Sequence, residues 1–124
     1  MENIFAVFIG GGLGAVVRYL ITLLIPSKIE LYPVATLCAN FLGCFIAAVV
    51  FSYFMIKNDS ESVHKTFLIV GFCGGLSTLS ALSLEVLEYF QTGQYFKAGG
   101  YIFTSLLICA ISVILGVVLV RKYV

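Results

Sequence analysis

Four long apolar stretches take up almost the whole of this sequence, at residues 4–25, 34–56, 67–90 and 98–120. An α-helix rises 1.5 Å per residue, so about 20 residues cross the hydrocarbon core of a bilayer. Only 10% of the 124 residues are charged, whereas a soluble domain carries about 25%. Because so few charges cannot cover a water-exposed surface, the sequence predicts one all-α integral membrane domain, residues 1–124, with four transmembrane helices.

The first apolar stretch differs from a cleaved signal peptide. Glu2 and no basic residue precede it, Arg18 lies deep within it, and no small-residue cleavage site follows it. We therefore expect a retained helix. The connections are short: residues 26–33 begin and end with proline, residues 57–65 are polar, and residues 91–97 join the last two spans.

The charges flanking the spans predict only a weak preference for one orientation. With four spans, both chain ends and the middle loop lie on the same side of the membrane. That side holds Lys57, Lys65, Arg121 and Lys122, and the other side holds Lys28 and Lys97, with Arg18 nearer to it. Such a small excess of basic residues is compatible with insertion in either direction or in both.

Several classes of function receive no support from the sequence. The formal net charge is +1, and no basic patch or aromatic-basic stripe suggests nucleic acid. The four cysteines lie inside apolar spans without a CxxC pair, so we interpret them as small buried apolar residues. The one histidine, His64, is expected in a solvated loop. With no catalytic triad, zinc-ligand spacing or phosphate-binding loop, we expect no enzyme activity.

Stripes of small residues predict where helices touch. Ala35, Ala39, Gly43 and Ala47 recur every four residues in the second span, and Gly10 and Gly14 form such a pair in the first. Residues without bulky side chains let neighbouring backbones approach closely. Helix packing explains both stripes.

The third span is predicted to be broken near the middle of the membrane. It reads GFCGGLSTLSALSLE over residues 71–85. Each glycine weakens a helix by roughly 1 kcal/mol relative to alanine, and hydroxyl side chains offer the backbone other hydrogen bonds. Backbone groups freed at a break cannot face lipid, so they line a cavity or bind an ion. A merely kinked helix packed with small residues is the alternative.

Polar residues in the other spans are further candidates. Tyr101, Ser105, Cys109 and Ser112 share one helix face, where their hydroxyls either line a pore or bond their own backbone. Asn40 either contacts an ion or holds two helices together. Arg18 either attracts anions to a vestibule or extends to the interface. Two further side chains, Glu85 and Glu88, are expected to reach interfacial water or to pair with Arg18.

Three motifs in order resemble the Fluc, or CrcB, fluoride channels: GGGLGAVVRY at residues 10–19, ATLCANFLGCF at residues 35–45, and GFCGGLSTLSALSLE. The resemblance covers the whole chain. It implies an antiparallel, dual-topology dimer in the cell membrane, with two pathways that export fluoride passively and lower cytoplasmic fluoride. It also implies a structural sodium ion at the dimer interface, bound by the backbone carbonyls of Gly74 and Ser77.

The resemblance also assigns residues to the fluoride pathway. Arg18 matches the first-helix arginine, which we place in a vestibule. The pathway residues that it implies are Asn40, Leu79, Ser80, Leu82, Ser83, Tyr101, Ser105 and Ser112, with Cys109 standing where a hydroxyl is usual.

One departure from the family pattern concerns two aromatic residues. Family members usually carry phenylalanine where this chain has Leu79 and Leu82, and the positive edge of a phenylalanine ring suits an anion. The chain is therefore either a subunit that pairs with a phenylalanine-bearing paralogue or a weakly conducting or engineered variant. The sequence leaves two other functions as alternatives. A small dual-topology multidrug or cation exporter needs a membrane-buried acid in the first span, where this chain offers Arg18. A non-transporting assembly subunit leaves the broken span unexplained.

Overall fold

The computed structural model describes residues 1–26, 32–59 and 62–124, and all regular structure in these residues is helical. Helix α1 spans Glu2–Leu24 and α2 spans Val34–Ile56. The third span consists of α3, residues 63–76, followed by α4, Leu79–Gln91. Helix α5 spans Tyr95–Tyr123. Four spans in the described residues, with α3 and α4 counted together, are long and apolar enough to cross a membrane.

The third span begins earlier than residue 67 and changes its bonding pattern twice. It opens as an α-helix at Val63–Lys65, continues with π-helical i→i+5 bonding through Thr66–Cys73, and returns to α-helix at Gly74–Leu76. π-helical bonding is rare, occurs mostly as single turns inside α-helices, and is frequently found at functional sites. The irregular bonding therefore extends over Thr66–Cys73 and is not confined to the glycines.

Helices α1 and α3 cross with their backbones in contact, as the small-residue pattern predicts. A Cβ on Gly71 would stand 3.0 Å from the Cα of Gly10, and one on Gly14 would collide with the Phe72 carbonyl. Likewise, a Cβ on Gly75 would collide with the Gly11 carbonyl. This crossing fixes α3 against α1 through main-chain atoms.

Helices α2 and α5 pack along much of their length, and the small residues of α2 serve two neighbours. Ala35, Ala39 and Gly43 are buried. A Cβ on Gly43 would stand 3.0 Å from the Ser77 side chain, so the stripe brings α2 against the point where the third span is interrupted. On the α5 side, a Cβ on Gly116 would meet Ala48 at 2.8 Å.

A small aromatic core closes the end of the molecule where α4 meets α5. Tyr101 is fully buried, stacks on Tyr32 with ring centroids 5.4 Å apart, and meets Tyr89 edge-on. Val86 and Ala98 complete this cluster. In contrast, most large apolar side chains of α1 and α5 are exposed, which is the surface that lipid or another subunit covers.

Candidate functional site

The third span is interrupted at Ser77 and Thr78, where the backbone is extended rather than helical. Ser77 has φ −76° and ψ 149°, and Thr78 has φ −149° and ψ 122°. Thr78 then starts the second half of the span as its N-cap, because its hydroxyl accepts a hydrogen bond from the Ala81 N–H at 3.2 Å. The interruption is thus a true break between two helices rather than a kink.

Asn40 of α2 stabilises this break from the side. Its Oδ1 accepts a hydrogen bond from the Thr78 N–H at 2.6 Å, and its Nδ2 donates to the Thr78 carbonyl at 3.2 Å. Both residues are buried. The amide therefore pairs with both main-chain groups of one extended residue, as a neighbouring β-strand would. Of the two roles open to Asn40 from sequence, the structure displays the one that holds two segments together.

Among the carbonyl groups that the break frees from helical hydrogen bonding are those of Gly74 and Ser77. In a continuous α-helix the Gly74 carbonyl would accept from the Thr78 N–H, and the Ser77 carbonyl from the Ala81 N–H. Here the Thr78 N–H donates to Asn40 and the Ala81 N–H donates to the Thr78 hydroxyl. Main-chain oxygens without their helical donors suit a hard monovalent or divalent cation.

A groove of about 300 Å³ runs beside the break. It is lined by residues of α2, the break itself, α4 and α5, namely Asn40, Cys44, Ser77, Thr78, Leu79, Leu82, Ile102, Ser105, Leu106 and Cys109. The groove thus brings together the candidates Asn40, Leu79, Leu82 and Ser105. Leu79 is 76% exposed, which makes it the outermost wall of the groove.

The remaining pathway candidates lie elsewhere in this chain. Ser80 and Ser83 are exposed on α4, whereas Tyr101 and Ser112 are fully buried, and none of the four lines the groove. Arg18 is half-buried on α1, also outside the groove. A single copy of the chain therefore gathers about half of the residues that the sequence singled out.

The serine hydroxyls donate to their own helices. Ser105 donates to the Tyr101 carbonyl at 2.7 Å, Ser112 to the Cys109 carbonyl at 2.8 Å, and Ser83 to the Leu79 carbonyl at 2.9 Å. An anion accepts hydrogen bonds, so each hydroxyl must turn away from its backbone partner before it can bind one. The serines thus adopt the backbone-bonded alternative in this structure.

Glu85 joins two helices rather than pairing with Arg18. Its carboxylate oxygens accept one hydrogen bond from the Thr36 hydroxyl at 2.6 Å and one from the Tyr101 hydroxyl at 2.5 Å. The side chain is half-buried, between α2 and α5. From the sequence this residue is expected either to reach interfacial water or to pair with Arg18, whereas in the structure hydroxyl donors from both neighbouring helices hold its carboxylate.

Sequence reasoning missed Thr36 and Thr78, and it misjudged Glu85. Thr78 stands directly before the second half of the span, where threonine is a preferred N-cap, so that signal was available. An acidic residue inside an apolar span is a functional candidate by default, which would have directed attention to Glu85. The hydrogen bond between Thr36 and Glu85 could be found only from the folded structure, because 49 positions separate the two residues in the chain.

The histidine and cysteines show little local chemistry. His64 is exposed, with Nδ1 3.4 Å from the Ser62 hydroxyl. All four cysteines are free, but only Cys73 is fully buried, and the others are half-buried. The described residues contain no group of three or more histidine, cysteine or acidic side chains placed to hold a metal ion.

Comparison with known proteins gives one consistent result. The family model described as CrcB-like protein, Camphor Resistance (CrcB), matches residues 5–117. A protein of Azobacteroides pseudotrichonymphae named fluoride-specific ion channel FluC is 36% identical over 124 residues, or 99% of each chain.

Two enterobacterial relatives give similar values. The Escherichia coli K12 protein of the same name is 37% identical over 107 residues, covering 86% of this chain and 84% of its own. A Yersinia pestis protein named fluoride-specific ion channel FluC 1 is 35% identical over 122 residues, with coverage of 98% and 96%. With the family model spanning most of the sequence and these relatives aligned along it, the chain belongs to the CrcB-like protein family.

Proposed function

We propose that this chain is one subunit of a fluoride-selective channel that lets fluoride leave the cell passively and so lowers cytoplasmic fluoride. It is a multi-pass bacterial membrane protein and not an enzyme. The observation that carries the proposal is similarity along nearly the full chain to proteins named fluoride-specific ion channel FluC. The broken third span and the groove beside it supply the polar backbone and narrow path that such a channel needs.

The proposal is tested by anion efflux from liposomes that contain the purified chain. We expect fluoride to leave protein-containing vesicles faster than protein-free ones, and chloride to stay inside. Equal fluoride and chloride release from an active preparation would exclude a fluoride-selective channel. Proton-coupled efflux of a cationic dye would instead indicate the exporter alternative. No flux of either kind, both from the chain alone and from the chain with a phenylalanine-bearing paralogue, would indicate the assembly-subunit alternative.

The functional unit that we propose is an antiparallel dimer with two pathways. The groove beside the break is open, and its outer wall, Leu79, is exposed in the single chain. A second copy, or a phenylalanine-bearing paralogue, would cover Leu79 and close the groove. It would also bring toward the groove the pathway candidates that do not line it in a single chain. In that arrangement Asn40, Leu82 and Ser105 line the path, while Arg18 sits in a vestibule.

The other implied pathway residues keep the same roles in the dimer. Ser80 and Ser83 are exposed on α4 and available to a facing subunit. Tyr101 and Ser112 are fully buried within one chain. They either position the neighbouring residues that line the groove or rotate so that their hydroxyl groups face the ion.

We also propose a structural sodium ion at the dimer centre, bound by the main-chain oxygens of Gly74 and Ser77. The residues fit this role because both carbonyls have lost their helical donors. Two antiparallel copies would supply four oxygens, which is a suitable shell for a monovalent cation in a dry interface. The ion would tie the two breaks together without taking part in permeation.

Replacing Ser77 with alanine tests the sodium site, because the proposed ligand is the carbonyl and not the hydroxyl. We expect the Ser77→Ala variant to retain sodium binding, measured by sodium-23 NMR on the purified protein, and to keep its dimer. Loss of the bound-sodium signal in this variant, while the wild type keeps it, would contradict main-chain ligation.

A further inference from the structure

A second groove lies at the end of the molecule where α2 and α5 finish and α3 begins. It encloses about 520 Å³, and its lining is aliphatic and aromatic, with Val50, Tyr53, Leu68, Leu119 and Tyr123 among its residues. It shares no residue with the groove beside the break. We call it the basic-end groove. In a bilayer a surface of this composition is filled by hydrocarbon.

Two lysines stand at the mouth of the basic-end groove. The Lys57 ammonium lies 5.8 Å from the centroid of the Tyr53 ring, and the Lys122 ammonium lies 5.4 Å from that of Tyr123. Because both tyrosines line the groove, both positive charges are held beside its opening. Arg121 is exposed at the same end. Lys65 also belongs to this end, and the described acidic residues there are Glu2 and Asp59, so four Lys and Arg side chains stand against two carboxylates.

The helix termini at this end offset one another. Helices α2 and α5 end here, at Ile56 and Tyr123, and a helix C-terminus carries partial negative charge, whereas α1 and α3 begin here, and a helix N-terminus carries partial positive charge. Attraction of a negatively charged group would therefore come mainly from the basic side chains, and removing Lys57 and Lys122 should reduce the preference.

We propose that the basic-end groove binds an anionic phospholipid, with an acyl chain in the apolar groove and the phosphate between Lys57 and Lys122. Basic pockets between transmembrane helices are a recognised site for anionic headgroups. The complementarity of charge at the mouth and of hydrocarbon below selects a lipid over a free phosphate ion. This lipid site could be occupied in either orientation of the chain in the membrane, because bacterial membranes carry anionic lipid in both leaflets.

Native mass spectrometry of the purified protein, titrated with long-chain phosphatidylglycerol and with phosphatidylcholine, tests this proposal. We expect the wild type to retain phosphatidylglycerol preferentially. Each juxtamembrane lysine contributes about fivefold to such binding, so the Lys57→Gln, Lys122→Gln double variant should lose about 25-fold of the preference. Lys97→Gln, which removes an exposed lysine at the opposite end, is the matched control and should leave it unchanged.

The alternatives give different results. Dihexanoyl phosphatidylglycerol and inorganic phosphate should bind far more weakly than the long-chain lipid, because neither fills the apolar groove. Equal retention of long-chain phosphatidylglycerol and long-chain phosphatidylcholine would overturn the proposal. The same result is expected if a second copy of the chain, and not a lipid, covers the groove. The same loss of preference in Lys97→Gln and in the double variant would also overturn it, since the effect would then be one of total charge.

Discussion

At the scale of single residues, the pairing of Asn40 with Thr78 matters most. One side chain satisfies both main-chain groups of the residue at the break, and both residues are buried. A buried main-chain group that loses its partner costs about 1–3 kcal/mol. The Asn40 amide therefore stabilises the extended backbone at the break by removing that cost for both groups.

The Asn40→Leu variant should destabilise the fold by about 2–4 kcal/mol, since the N–H and the carbonyl of Thr78 both lose their partner. We expect faster hydrogen exchange at the Thr78 amide, a lower melting temperature in detergent and loss of fluoride efflux. Gln91→Ala, at the exposed end of α4, serves as the control and should change none of these. Unaltered exchange at Thr78 in Asn40→Leu would contradict the proposed role of Asn40.

Leu79 and Leu82 are the second residue-scale question, because both line the groove beside the break. If fluoride needs aromatic ring edges, the Leu79→Phe, Leu82→Phe double variant should raise fluoride efflux from liposomes holding only this chain by about tenfold, the change that a barrier lowered by about 1.4 kcal/mol produces. Leu84→Phe adds a ring at an exposed position of α4 outside the groove and should leave the rate unchanged. Rapid efflux by the unmodified chain would show that the leucines suffice.

At the scale of the helices, the crossing of α1 and α3 depends on glycines whose neighbours are main-chain atoms. Such neighbours cannot move aside as a flexible side chain can. This explains why the sequence predicted the contact well: a stripe of small residues at a spacing of four has few other uses in a membrane.

Gly14→Ala should disrupt this crossing, because the added Cβ would collide with the Phe72 carbonyl. We expect destabilisation of about 1–3 kcal/mol, measured as a lower melting temperature in detergent. Gly12→Ala is the matched control on the same helix, since nothing lies within 4 Å of a Cβ at that position. Equal melting temperatures for the two variants would contradict the backbone-to-backbone crossing.

Other features of the helices could not be predicted from sequence. The glycines and hydroxyl residues located the break within a few positions, but the π-helical bonding of Thr66–Cys73 has no signal in an apolar run, since it depends on packing against α1. Similarly, the spacing of Tyr101, Ser105 and Ser112 gave their shared face and left open whether their hydroxyls line a pore or bond their own backbone, as the serines do here. It gave no indication that Tyr101 bonds Glu85.

At the scale of the whole molecule, a single chain does not enclose the groove beside the break. The groove beside the break is open, Leu79 is exposed, and large apolar residues cover the outside of α1 and α5. The numbers of basic residues at the two ends of the spans differ only slightly. One of the residues counted, Lys28, lies outside the described residues. Both observations favour two subunits that insert in opposite directions.

Labelling from outside the cell tests this arrangement. In a variant with all four cysteines changed to serine, Asp59→Cys and, separately, Thr92→Cys would place one exposed thiol at opposite ends. We expect a membrane-impermeant maleimide to label about half of each variant in intact cells, since dual insertion presents each end on both sides. Labelling of one variant almost completely and of the other hardly at all would contradict a dual-topology homodimer and favour pairing with a paralogue.

The crossing of α1 with α3 also determines where this molecule can move. Because main-chain atoms meet main-chain atoms there, those two helices should travel as one rigid body during any thermal fluctuation. The extended residues Ser77 and Thr78 interrupt the third span, and the segment after them is bonded to α2 and α5, through Thr78 with Asn40 and through Glu85 with Thr36 and Tyr101. Slow motions of the channel should therefore shift α4 together with α2 and α5 against the pair of α1 and α3, with the bending concentrated at the break.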